Sequence, residues 1–240
     1  MKVISKLAAA LLSVAALAVS GQALAQHSDV EIGVEGGSLV VENGEAMANG
    51  GVLFEAEFGE LGSPFGTEDP GFELDDGLFN EDEILAFMAV GSLQAWDGAS
   101  WSSANVPSAV EIAATDVLGI DTVWTAGGVS NSGGLIDAAD DEGGVHSHID
   151  FGISNPAGGD PANGAYMIEI MLFGLAADQT TQVYGASQSL FLVFNLGLDH
   201  EDFELAVDAL LAQPVPIPGA AVLFLSGLLS MFGLRRRNNA

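Results

Sequence analysis

Val145-His-Ser-His-Ile-Asp-Phe-Gly-Ile153 is the stretch that decides the fold. Apolar and polar residues alternate along it with the period of a half-buried β-strand. Val145, Ile149 and Phe151 point one way, and His146, His148 and Asp150 point the other. Residues 165–172 and 189–196 are rich in Ile, Val and Phe and read as two more strands.

Working outward, Val30, Ile32 and Val34 alternate with polar residues or glycine, and Gly36-Gly37 turns the chain into residues 39–41 as a hairpin. Val52, Phe54, Ala56 and Phe58 share one strand face, and further strand patterns cover 84–90, 92–96, 109–113 and 121–125. Residues 59–82 and 127–144 are dense in glycine and carboxylates and read as long surface loops. Residues 199–212 break the pattern. There Phe203, Val207, Leu210 and Leu211 recur at helical spacing behind an acidic first turn, which predicts a short helix packed on the sheet. The intervals predict an all-β fold, an antiparallel β-sandwich of jelly-roll-like kind with one short C-terminal helix.

The ends of the chain differ from the middle. Residues 1–25 read as a secretory signal peptide: Lys2 and Lys6, an uncharged apolar run, then Ala23-Leu24-Ala25 as a small-x-small cleavage site. Residues 214–240 form a tail in which prolines precede an apolar segment, 219–234, followed by Arg235, Arg236 and Arg237. A segment of 16 residues makes a helix roughly 24 Å long, short for a membrane helix, and the arginines mark its cytoplasmic end. Between the two lies one domain, 26–213.

Every Lys and Arg of the chain belongs to these terminal segments, and all 33 Asp and Glu lie between them. The middle domain therefore has no basic side chain except histidine, and its negative field excludes nucleic acid as a partner. Cysteine is absent, so neither disulfides nor thiolate metal sites exist. Two uses of the acidity compete: a surface suited to salty water, or carboxylates that collect cations such as Ca²⁺.

The four histidines are His27, His146, His148 and His200. His146 and His148 stand i, i+2 on one strand face, roughly 7 Å apart at Cα. That spacing lets both reach one metal ion, with Asp150 or a carboxylate from elsewhere closing the set and His27 and His200, at the ends of the domain, as further candidates. Zn²⁺ accepts histidine and carboxylate without cysteine.

The tail resembles the PEP-CTERM sorting signal. Pro216 and Pro218 match its outer prolines, Ile217 stands where glutamate is usual, and Arg235, Arg236 and Arg237 match its basic cluster. The resemblance implies an exosortase-type sorting protease as partner. It also implies a membrane contact through the tail helix, and export to the periplasm, outer surface or extracellular matrix of a Gram-negative bacterium by way of the inner membrane. The middle of the chain is similar to a family of exported PEP-CTERM proteins repressed by the zinc-uptake regulator. The matching stretches are 27–41, 67–72, 93–98, 143–148, 164–166 and 192–195. This similarity implies a role in zinc-limited cells, as metal capture or storage in the envelope.

Enzyme signatures are missing. Gly128-Val-Ser130 and Gly98-Ala-Ser100 lack the closing glycine of a nucleophile elbow, and the helix that begins with His200-Glu201 has no second histidine. Asp137, Asp140, Asp141 and Glu142 do not follow EF-hand spacing. The expectation is a non-enzymatic, zinc-binding envelope protein. The first alternative is an acidic matrix protein that uses calcium and associates with exopolysaccharide. The second is an envelope hydrolase using a metal-bound water.

Overall fold

The computed structural model describes residues 29–59 and 62–212. The signal-peptide segment 1–25, His27, the tail segment 219–234 and the sorting residues Pro216, Pro218, Arg235, Arg236 and Arg237 lie outside the described residues. No helix among the described residues is long and apolar enough to cross a membrane.

The first half of the domain contributes β1 (Val30–Glu35), β2 (Ser38–Val41), β3 (Glu45–Ala46), β4 (Val52–Glu57), β5 (Gly66–Thr67), β6 (Phe72–Leu74), β7 (Ile84–Trp96) and β8 (Trp101–Ser102). The second half adds β9 (Glu111–Thr115), β10 (Asp121–Thr125), β11 (Gly128–Ser130), β12 (Gly133–Ala138), β13 (Val145–Ser147), β14 (Asp150–Ser154), β15 (Gly164–Leu175), β16 (Gln182–Tyr184) and β17 (Leu190–Leu196). The helix α1 (His200–Leu211) follows. The domain is all-β apart from that helix and one 3-10 turn among the described residues.

The strands form three sheets, in the orders β13-β6-β1-β2, β11-β10-β9-β14-β5 and β12-β7-β15-β17-β4-β3, with β16 and β8 attached to the last through β15 and β7. Most pairings are antiparallel, as the sequence predicts. Two are not: β1 runs parallel to β6, and β4 parallel to β17. In both cases the paired strands are far apart in sequence, so no hairpin fixes their direction.

One core joins the three sheets. Leu192 and Phe194 from the largest sheet meet Phe151 from the second and Val30, Ile32 and Phe72 from the first. Phe194 sits at the junction, its ring 5.0 Å from that of Phe58 and 5.3 Å from that of Phe151. The alternate residues of β17, Phe191 and Val193, face the other way. They pack with Leu53, Ala165 and Met167 under Phe203, Ala206, Val207 and Leu210 of α1. Both faces of β17 are therefore covered, which explains why its sequence is almost continuously apolar. The helix begins where its acidic start predicts. Asp199 caps it by accepting from the Asp202 amide, and Glu201 and Asp202 lie at the positive end of its dipole.

The hairpin of β1 and β2 turns through Gly36 and Gly37, at φ 59° and 87°, conformations that cost little only without a Cβ. Three expectations are corrected. Residues 59–82 are no plain surface loop: β5 and β6 lie within them, and Phe72 is fully buried because β6 is inserted between β1 and β13. Residues 127–144 likewise carry β11 and β12. The segment 145–153 is not one strand. It leaves the first sheet after Ser147 and joins the second at Asp150, while Val145, Ile149 and Phe151 still face the shared core.

Candidate metal centre

The site follows from the register of three neighbouring strands. Glu31 pairs with Glu73, and Glu73 with His146, so these three form a row across β1, β6 and β13 on the exposed face. Val30, Phe72 and Ser147 form the next row, facing the core. Carrying the same register one residue further sets Asp29, Gly71 and His148 side by side, again toward solvent. Two rows two residues apart on the same face thus bring Asp29, His148 and His146 around a central glycine.

Their donor atoms converge. One imidazole or carboxylate atom from each of Asp29, His146 and His148 lies within 4.8 Å of the other two. His148 Nε2 is 3.8 Å from Asp29 Oδ1, and His146 Nε2 is 3.8 Å from Asp29 Oδ2. Both separations exceed hydrogen-bond length, so the three side chains do not close on each other. Ligand atoms around a tetrahedral Zn²⁺ stand roughly 3.3–3.5 Å apart, given bonds of about 2.0–2.2 Å. A shift of about half an ångström would bring each histidine to that distance from Asp29.

Two features prepare the site. The first is the tautomer of His148. Its Nδ1 is 3.0 Å from the carbonyl oxygen of Glu68, which can only accept, so Nδ1 donates and the lone pair of a neutral ring is left on Nε2, the atom nearest Asp29. Histidine ligands of metals are oriented in this way. The segment around Glu68 is tied down on both sides, by the Asp69 amide donating to Thr67 Oγ1 and the Val30 amide donating to Gly71 O. The second feature is Gly71. A Cβ built there would lie 2.5 Å from His148 Cε1, 2.6 Å from His148 Nε2 and 2.6 Å from Asp29 Oδ1. Glycine at this position leaves open the space between the two donor atoms.

The structure brings together only part of the set expected from sequence. His146 and His148 meet, 5.7 Å apart between ring centroids. Asp150 is not in the cluster: it starts β14 opposite Thr115, in the second sheet, because the chain changes sheets just before it. His200 opens α1, where its Nδ1 is 3.6 Å from Glu204 Oε1 one turn on, and it takes no part either. His27 lies outside the described residues. Asp29 is the member of the cluster that spacing alone does not place. It directly precedes the first alternating strand and shares the outward phase of Glu31, but only the long-range pairing through β6 carries it to the histidines.

Beside the centre lies an acidic groove of about 480 Å³ lined by Glu73, Asp75, Asp76, Asp140 and His146. It is open and its lining is mostly polar, with Leu74 and Val145 as the apolar members. No protein-family model matches the chain, and no curated protein is significantly similar to it.

Proposed function

We propose that this chain is an exported, membrane-sorted envelope protein whose jelly-roll-like β-domain captures zinc and serves cells short of that metal. The observation that carries the reading is the convergence of Asp29, His146 and His148 around Gly71, with His148 held in the metal-ready tautomer by Glu68. Two imidazoles and one carboxylate make a donor set for zinc, whereas calcium takes oxygen ligands and gains nothing from imidazole. Delivery rests on the signal peptide, and retention on the PEP-CTERM-like tail with an exosortase-type protease as partner. The centre is surface-exposed, with the His146 side chain 63 % accessible, which suits capture and release better than a buried structural ion. In this reading the chain is a binding protein.

Calorimetric titration with Zn²⁺ and with Ca²⁺ tests it. The wild-type protein takes up one zinc ion, and the double variant His146→Ala, His148→Ala takes up none at that site. The acidic groove favours one second reading, a calcium-using matrix protein that associates with exopolysaccharide. Calcium uptake that survives loss of both histidines, with no zinc uptake by the wild type, would establish it instead.

A further inference from the structure

We propose that Glu73 is the fourth protein ligand of this centre, an inference that rests on the zinc reading above. Asp29, His146 and His148 supply three donors, and a closed tetrahedral zinc site needs four. The open space over Gly71 is flanked across the strands by Asp29 and His148. Along β6 its nearest neighbour on the same face is Glu73, two residues on, roughly 7 Å at Cα and within a glutamate's reach. Glu73 is also the direct cross-strand partner of His146, whose Nε2 faces the same space. The two rows thus place a donor on each side of the gap: Asp29 on β1, Glu73 on β6, and the two histidines on and just after β13.

Glu73 is free to move there. It is exposed, and no hydrogen bond or ion pair among the described residues holds its carboxylate elsewhere. Its oxygens are not among the three donors already converged, so the last bond forms by side-chain rotation when the ion arrives. The arrangement gives a capture sequence: three preset donors receive the ion, and a mobile carboxylate closes over it. Glu31 makes the natural comparison, because it carries the same charge in the same row one strand further away.

The test compares full-length wild type, Glu73→Gln and Glu31→Gln by zinc titration, and by visible absorption with Co²⁺ in place of zinc. Glu73→Gln should weaken zinc binding about tenfold or more beyond the effect of Glu31→Gln, and should alter the cobalt bands that report coordination. Glu73→Asp keeps the charge but shortens the reach, and should also bind more weakly than wild type. Equal effects from Glu73→Gln and Glu31→Gln, or full affinity in Glu73→Asp, would show that Glu73 contributes charge alone and overturn its role as ligand. Absence of zinc binding in the wild type would overturn the centre itself, and Glu73's role with it.

Discussion

Asp29 and His148 face each other across the strand that separates them: Asp29 Oδ1 and His148 Nε2 are 3.8 Å apart, and the residue between them is Gly71. Side chains two strands apart ordinarily cannot meet, because the intervening residue fills the gap. Here its Cβ is missing, and the donor atoms lean into the space.

That relationship makes Gly71→Ala a specific test. The glycine is not needed for an unusual backbone angle, since its φ lies outside the left-handed region. The atoms nearest the added methyl are the ends of His148 and Asp29, two partly exposed side chains able to swing toward solvent. The expected result is zinc affinity reduced about tenfold or more, with a change in stability of about 1 kcal/mol or less. Calorimetry and thermal melting of the same sample measure both.

The core should fail at Phe194. This ring stacks on Phe58, touches Phe151 from the second sheet and is fully buried. Phe194→Ala removes the contact that joins two sheets and should cost about 3–5 kcal/mol, read from denaturant unfolding.

Much of this core was legible in the sequence, and the reason is local. Alternation in 30–34, the Gly36-Gly37 turn, the apolar run of β17 and the acidic first turn of the helix each act over a few residues. What stayed hidden depends on pairing between distant segments. The pattern of 145–153 shows which side chains face outward, and His146, His148 and Asp150 do all face outward. It does not show that the backbone changes sheets between Ser147 and Asp150, which takes Asp150 away from the histidines. Nor can spacing place Asp29 beside His148, because the strand between them reads as loop in the sequence. Phe72 and Leu74 at alternate positions were the signal for that strand, too short to stand out among the glycines and carboxylates.

Raised pH gives an unusually clean experiment. The described residues contain no Lys, Arg or Cys, and Tyr166 and Tyr184 are the only tyrosines in the chain. Burial pushes the Tyr166 hydroxyl, which donates to the Ala162 carbonyl at 2.6 Å, up to about 12. Tyr184 is pushed up as well, by burial and then by the charge of Glu83. An unfolded tyrosine ionises near pH 10, so above that pH the unfolded chain holds fewer protons than the folded one. Stability is thus intact below about pH 10 and falls between about 10 and 12, by about 2–3 kcal/mol for Tyr166. Melting scans across this range should show the fall, and Tyr166→Phe should remove most of it.

Salt should stabilise the domain. All 33 carboxylates of the chain lie between the two basic ends, and no Lys or Arg stands among them to offset their repulsion. Screening weakens that repulsion in the compact state more than in the expanded one. The melting temperature should therefore rise from dilute buffer to about 0.5 M NaCl, where the Debye length is shorter than about 8 Å. A flat or falling melting temperature would contradict this account of the charge.

The most direct test of the metal centre is zinc titration of the purified protein beside two single variants, Asp29→Asn and Asp150→Asn. Each removes one carboxylate from a residue close to the histidines in space or in sequence. If the centre is Asp29, His146 and His148, Asp29→Asn should lose zinc affinity by about a hundredfold, and Asp150→Asn should bind as the wild type does. Equal binding by all three proteins, or loss in Asp150→Asn alone, would contradict it.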